Sequence, residues 1–189
     1  MASILPRVII LPGNGCSNVQ DANWYGEIQR ELIRSKLFSE VILENMPDPY
    51  GAKESIWLPF VINELKVDKN TIVIGHSSGA VAAMRLLESH SLFGCVLVSA
   101  CWTDLGDEGE RLAGYYNRPW NWESIRANAS WIIQYHSIDD PFIPRAEADH
   151  VATHLATEYT CFDDRSHFFS ASDVRHLLSD LRVKLENRS

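Results

Sequence analysis

The chain has 189 residues, 46% of them hydrophobic and 22% charged, and a formal net charge of -8. That length is enough for one domain, residues 1–189, with a sizeable core. The acidic balance, with no basic cluster, argues against nucleic acid and against an anionic membrane surface as partners, and no apolar run is long enough to span a bilayer. Residues 1–7 lack a basic region followed by an apolar one, so no signal peptide is expected. Cys16, Cys95, Cys101 and Cys161 match neither a zinc pattern nor a small disulfide scaffold, which makes a reducing, cytoplasmic setting the simplest one.

In chain order, Arg7–Leu11 reads as a strand and runs directly into Pro12-Gly13-Asn14-Gly15. Trp24, Ile28, Leu32 and Ile33 have helical spacing over 24–34. A strand over 41–43 ends at Asn45-Met46-Pro47-Asp48-Pro49, where two prolines mark a loop. Helical spacing returns over 55–65, with Pro59 expected near the first turn. A β-branched run from Thr71 to Ile74 leads into Gly75-His76-Ser77-Ser78-Gly79, and a helix is expected over 80–87. A fourth strand covers 95–100. The stretch 101–122 reads as irregular and carries Trp102, Tyr115, Tyr116, Trp120 and Trp122. A fifth strand over 131–136, a helix over 144–156, a sixth strand over 159–162 and a last helix capped by Ser172 complete the chain. This alternation predicts an α/β fold: a three-layer sandwich of about six mostly parallel strands with helices on both faces.

Gly75-His76-Ser77-Ser78-Gly79 matches G-x-S-x-G, with a strand before it and a helix after it. A serine at such a turn projects alone at the strand end, and both flanking positions must be small for the turn to close. In a parallel sheet, sites form at the C-terminal ends of strands. The polar residues there are Asn14 and Gly15, then Ser77, then Asp139 and Asp140, then Asp163, Asp164 and His167. A serine, an acid and a histidine in that order make an activated nucleophile. Of seven histidines, only His167 lies in a loop after the last strand. An acid followed by two residues and then Ile-Pro is the usual arrangement at this point in serine hydrolases of this chain order, which selects Asp140 and leaves Asp139 as a loop-capping or solvent-facing acid. The oxyanion donors expected are the N–H of Ser78 and that of Asn14 or Gly15. Trp120 or Trp122 is expected to wall the substrate pocket, the segment 102–122 covering Ser77. The pair His150 and His154 lacks the acid of H-E-x-x-H, so no metal and no other cofactor is expected. The competing class is a non-catalytic binding module on the same fold; the complete serine, acid and histidine set favours catalysis.

Further segments carry a family resemblance over nearly the whole chain: Pro12-Gly13-Asn14-Gly15, Asn45-Met46-Pro47-Asp48-Pro49, Glu54-Ser55-Ile56-Trp57-Leu58-Pro59-Phe60, Ile74 to Ala80, Asp104-Leu105-Gly106-Asp107-Glu108, Arg118-Pro119-Trp120 and Asp139-Asp140-Pro141-Phe142. In these the chain resembles the small α/β-hydrolases typified by retinoblastoma-binding protein 9. The resemblance implies a serine hydrolase of small esters or amides, with Ser77 as nucleophile, Asp140 as acid and His167 as base. The chain departs from that family at two places. Ser166 stands where glycine is usual, which a negative φ would accommodate. Leu65-Lys66-Val67-Asp68-Lys69 stands where the family has Leu-x-Cys-x-Glu, so binding to a retinoblastoma-type pocket is not carried over.

Overall fold

Six short apolar runs become six strands: β1 (Arg7–Leu11), β2 (Glu40–Ile42), β3 (Thr71–His76), β4 (Gly94–Val98), β5 (Ile132–Ser137) and β6 (Glu158–Phe162). All pair in parallel, in the order β2-β1-β3-β4-β5-β6. The computed structural model describes residues 5–186. The reading of residues 1–4 as free of a leader, and the outer ends of the expected domain, lie outside the described residues.

Alternation along the strands divides the core. Ile9, Leu11, Val73, Cys95 and Leu97 face one side, where they meet α2 (Glu54–Asn63), α3 (Ser78–Leu87), α5 (Trp122–Ala127) and α6 (Arg145–Leu155). Val8, Ile10, Ile72, Ile74, Val96 and Val98 face the other, against α1 (Tyr25–Ser35) and α7 (Leu177–Glu186). The three-layer α/β sandwich is therefore the observed architecture. Both faces of the sheet are covered, which is why β3 and β4 are buried throughout rather than alternating. Among the described residues, no helix is long and apolar enough to cross a membrane.

Three local expectations are corrected. The stretch 101–122 is not wholly irregular: it contains α4 (Glu108–Ala113) and the start of α5. Asp107 caps α4 by accepting from the Glu110 N–H, and Asn121 caps α5 through Ser124. Pro59 sits in the middle of α2, because that helix already begins at Glu54. Ser172 does not cap the last helix; the capping serine ahead of it is Ser170. Ser170 and Asp173 form a reciprocal capping box on a short 3-10 turn (Ala171–Val174) that precedes α7.

α3 runs through the middle of the molecule and is buried along its whole length, including Arg85. A buried guanidinium must be fully hydrogen-bonded. Arg85 donates to the carbonyls of Tyr115, Arg118 and Pro119, pairs with Glu88 at 2.6 Å, and lies 3.6 Å from the ring centroid of Trp120. At the other end of the same segment, Glu147 of α6 accepts from the N–H groups of Trp102 and Thr103 and from the Thr103 hydroxyl. The aromatic stretch is thus fastened to the core by one cation and one anion. Arg85→Met should destabilise the protein by about 3–5 kcal/mol in urea denaturation, because three carbonyls and Glu88 lose their partner. Arg85→Lys should recover little of this, since an ammonium cannot span the same acceptors. A loss below about 1 kcal/mol for the methionine variant would contradict the anchoring role.

Candidate active site

The sheet order reverses between β1 and β3, and the crevice beyond their C-terminal ends is the place where such a sheet holds a ligand. Ser77 lies there, between β3 and α3, with φ 54° and ψ -120°. That conformation is strained for a side chain, and the surroundings enforce it. The Ser77 N–H is held by the Val98 carbonyl at 2.9 Å. A Cβ on Gly75 would lie 2.4 Å from the Gly79 oxygen, and one on Gly79 would lie 2.2 Å from the Leu11 oxygen. α3 can therefore press against β1 and β3 only because both positions are glycine.

Ser78 is the first residue of α3, so its N–H has no partner within the helix. The turn after β1 comes close on the other side: a Cβ on Gly13 would lie 3.3 Å from the Ser77 Cβ. Of the two candidates in that turn, Gly15 is excluded, since its N–H donates to the Pro49 carbonyl at 2.8 Å. Asn14 lines the same cavity as Ser77 and Ser78, and its side chain is oriented by Glu110 at 3.2 Å.

Asp140 follows β5, and its side chain is fully buried. Its Oδ2 accepts from His167 Nδ1 at 2.8 Å and from Ser99 Oγ at 2.9 Å. Its Oδ1 accepts from the N–H groups of Phe142 and Ile143 at 2.9 and 3.0 Å. Burial alone would raise the pKa of this carboxyl; the bonds from His167, the charge of His167 and the two N–H groups outweigh it and hold it below the ordinary value. Asp139 has a different environment. It accepts from Ser137 Oγ at 2.5 Å and from the Ser166 N–H at 2.8 Å, and its pKa is lowered mainly by the Ser137 bond.

His167 is buried, with Nδ1 committed to Asp140, which leaves Nε2 as the basic nitrogen. Ser77 and His167 both line a cavity of about 580 Å³. The rings of Phe142 and Phe169 stand 5.0 and 5.7 Å from that of His167. With Leu105, Pro141 and Ile143 they supply much of the apolar lining; Asp107, Glu110 and Tyr116 supply much of the polar part. Trp120 and Trp122 do not line this cavity. They border a separate groove with Trp102 and Tyr116, because Arg85 draws Trp120 inward and the Trp120 N–H donates to the Trp102 carbonyl at 2.9 Å. His150 stacks on His154 and on Trp102, and among the described residues no group of three or more His, Cys, Asp or Glu side chains is arranged to hold a metal.

Ser99 and Phe142 were not singled out from the sequence. Ser99 could have been: it is a hydroxyl ending an apolar strand at the catalytic edge. A second correction concerns Ser166, whose φ is positive, 49°, not negative. Phe168, on the other side of His167, has φ 54°. The Ser166 N–H is held by Asp139, which is how a non-glycine residue is kept in the left-handed region. Ser166→Gly should remove that strain at a partly compensating cost in chain entropy, raising stability by up to about 1 kcal/mol and increasing the melting temperature. A lower melting temperature would mean that the serine side chain itself contributes.

Comparison with known proteins gives the family and the fold. The family described as serine hydrolase matches residues 8–179. Serine hydrolase RBBP9 of Rattus norvegicus is 50% identical over 162 residues, which is 86% of this chain and 87% of that protein. Among solved structures, the ydeN gene product of B. subtilis aligns with a TM-score of 0.80 at 21% identity, covering 94% of this chain and 99% of its own. MGS-M1, an alpha/beta hydrolase enzyme from a Medee basin deep-sea metagenome, gives a TM-score of 0.62 at 17% identity, covering 97% and 84%. The two structures share the α/β-hydrolase fold with this chain. By the match over 8–179 and the identity to the rat protein, the chain belongs to the serine hydrolase family.

Proposed function

We propose that the chain hydrolyses small ester or amide substrates through an acyl-enzyme on Ser77. The observation that carries this reading is the Asp140–His167 pair, bonded at 2.8 Å, on the same cavity as a serine held at a strained strand-to-helix turn. His167 Nε2 takes the Ser77 hydroxyl proton as Oγ bonds to the carbonyl carbon. Asp140 fixes the Nδ1–H tautomer and stabilises the imidazolium. The N–H groups of Ser78 and Asn14 receive the oxyanion at the start of α3, where the helix end favours negative charge. Collapse breaks the bond to the leaving group, which departs with the proton from His167. Water then repeats the sequence and releases the acid and free Ser77. The cavity volume lies in the range of small-molecule sites. All four cysteines are free thiols, in keeping with a cytoplasmic setting.

Ser77→Ala should abolish fluorophosphonate labelling and turnover while leaving the melting temperature nearly unchanged. Asp140→Asn should lower kcat by roughly 10³–10⁴, because the amide favours the wrong histidine tautomer. Asp139→Asn should cost far less rate and act mainly on stability. Turnover by the alanine variant would refute the serine mechanism, and the reverse ranking of the two acids would move the orienting role to Asp139.

Substrate discrimination in this reading falls to Phe142 and Phe169, whose side chains line the cavity. Replacing either by alanine should change the ratio of kcat/KM between a short and a bulky ester by about tenfold, with little change in melting temperature. Trp120→Ala should do the opposite, lowering the melting temperature and leaving that ratio intact. A shifted ester preference in the tryptophan variant would put the acyl pocket in the neighbouring groove.

A further inference from the structure

Behind Ser77 lies a polar chain that the proposed mechanism does not use. Tyr25 and His76 are both buried, and Tyr25 Oη lies 2.6 Å from His76 Nδ1. Tyr25 Oη also accepts from the Gly13 N–H at 2.9 Å and from Asn23 Nδ2 at 3.0 Å. A phenol has two acceptor sites and one proton. Both acceptor sites are filled, so the proton is donated to His76 Nδ1. His76 therefore carries its own proton on Nε2, which donates to the His167 carbonyl at 2.9 Å. The chain has one direction: Gly13 to Tyr25, Tyr25 to His76, His76 to the backbone of His167.

We infer that Tyr25 and His76 are positioning residues for hydrolysis, tying the turn that carries Asn14 to the loop that carries His167. This inference rests on the reading of Ser77 and His167 given above. The two tied segments follow β1 and β6, which have β3, β4 and β5 between them in the sheet. No strand pairing sets their relative position. The His167 loop also needs an external hold, since Ser166 and Phe168 both have positive φ. Asp140 fixes the imidazole but not the carbonyl; His76 fixes the carbonyl.

A histidine suits this place if it stays neutral. Its ring centroid is 4.8 Å from that of His167, which becomes positive during each catalytic step. Burial first, and then the charge of His167, push the pKa of His76 down to about 3. Tyr25 keeps its proton, since burial raises its pKa strongly. The connector thus presents no charge against the imidazolium.

The test compares Tyr25→Phe, His76→Gln and His76→Leu with wild type, measuring kcat, KM, the fluorophosphonate labelling rate and the melting temperature. A carboxamide places an acceptor and a donor on one carbon, as imidazole places its two nitrogens, so the glutamine can keep the chain intact. We expect kcat to fall by about tenfold in Tyr25→Phe and about a hundredfold in His76→Leu, with KM within about threefold. His76→Gln should stay within about fivefold of wild type. Tyr25→Phe combined with His76→Leu should be no slower than His76→Leu alone, since both break one chain. Wild-type kcat in Tyr25→Phe and His76→Leu, well below their melting temperatures, would overturn the inference; so would a glutamine variant as slow as the leucine. Should the leucine variant not fold, Tyr25→Phe against His76→Gln decides by the same criterion. A Ser77→Ala enzyme that still turned over would instead refute the serine reading beneath it.

Discussion

The site depends on one close approach, that of α3 to the ends of β1 and β3. Gly79 sits where any side chain would meet the Leu11 carbonyl, and Gly75 where any side chain would meet Gly79 itself. Contact at that distance does three things together. It forces Ser77 into a conformation an unconstrained serine would leave. It aims the free N–H end of α3 at the crevice. It also brings the turn after β1 against Ser77, so that donors from two elements converge. Two glycines thus set both the backbone of Ser77, the proposed nucleophile, and the place where negative charge would develop in the proposed reaction.

The remaining parts are held by a common device. Ser77, Ser99, Ser166 and Phe168 all have positive φ, and all lie in loops or turns beyond strand C-termini at the catalytic edge. Each is over-determined by its neighbours. Ser77 is held by the Val98 carbonyl, Ser99 by the Tyr135 carbonyl, Ser166 by Asp139 and Phe168 by the Arg165 carbonyl and full burial of its ring. Strain of about 1–2 kcal/mol per residue persists because the sheet or a neighbouring loop supplies a fixed acceptor at each point.

What could be read from the sequence follows from the same geometry. Period and punctuation gave the succession of strands and helices along the chain; polar residues just past strand ends, with the acid-x-x-Ile-Pro frame, gave the candidates Ser77, Asp140 and His167. These depend on local pattern alone. The structure bonds Asp140 to His167 and sets Ser77 and His167 on one cavity. The aromatic wall did not follow, because clustering of Trp102, Tyr116, Trp120 and Trp122 says nothing about which way the rings turn. The direction of Trp120 is set by Arg85, a cation far upstream in sequence whose burial no local pattern announces. The sign of φ at Ser166 was hidden for a similar reason: it depends on the Asp139 carboxylate, which reaches back across the β5–β6 loops. The short helices α4 and α5 were legible in principle. Asp107 three residues before Glu110, and Asn121 three before Ser124, are capping spacings that the density of aromatics around them masks.

Asp139 and Asp140 show how far environment, not identity, assigns a role. They are neighbours, equally acidic in sequence, and the charge of Asp140 is the last of the causes acting on the Asp139 pKa. The backbone turn after β5 sends one outward and one inward. Asp140 is closed off from water and receives four donors, one of which is the histidine that must be oriented. Asp139 remains exposed and receives two, one of which holds the backbone just ahead of that histidine. The inner acid therefore acts on the imidazole ring and the outer acid on the chain that carries it. Either bond alone would leave a rotation free, the ring about a loose loop or the loop about a fixed ring. Two adjacent carboxylates on opposite sides of one turn remove both.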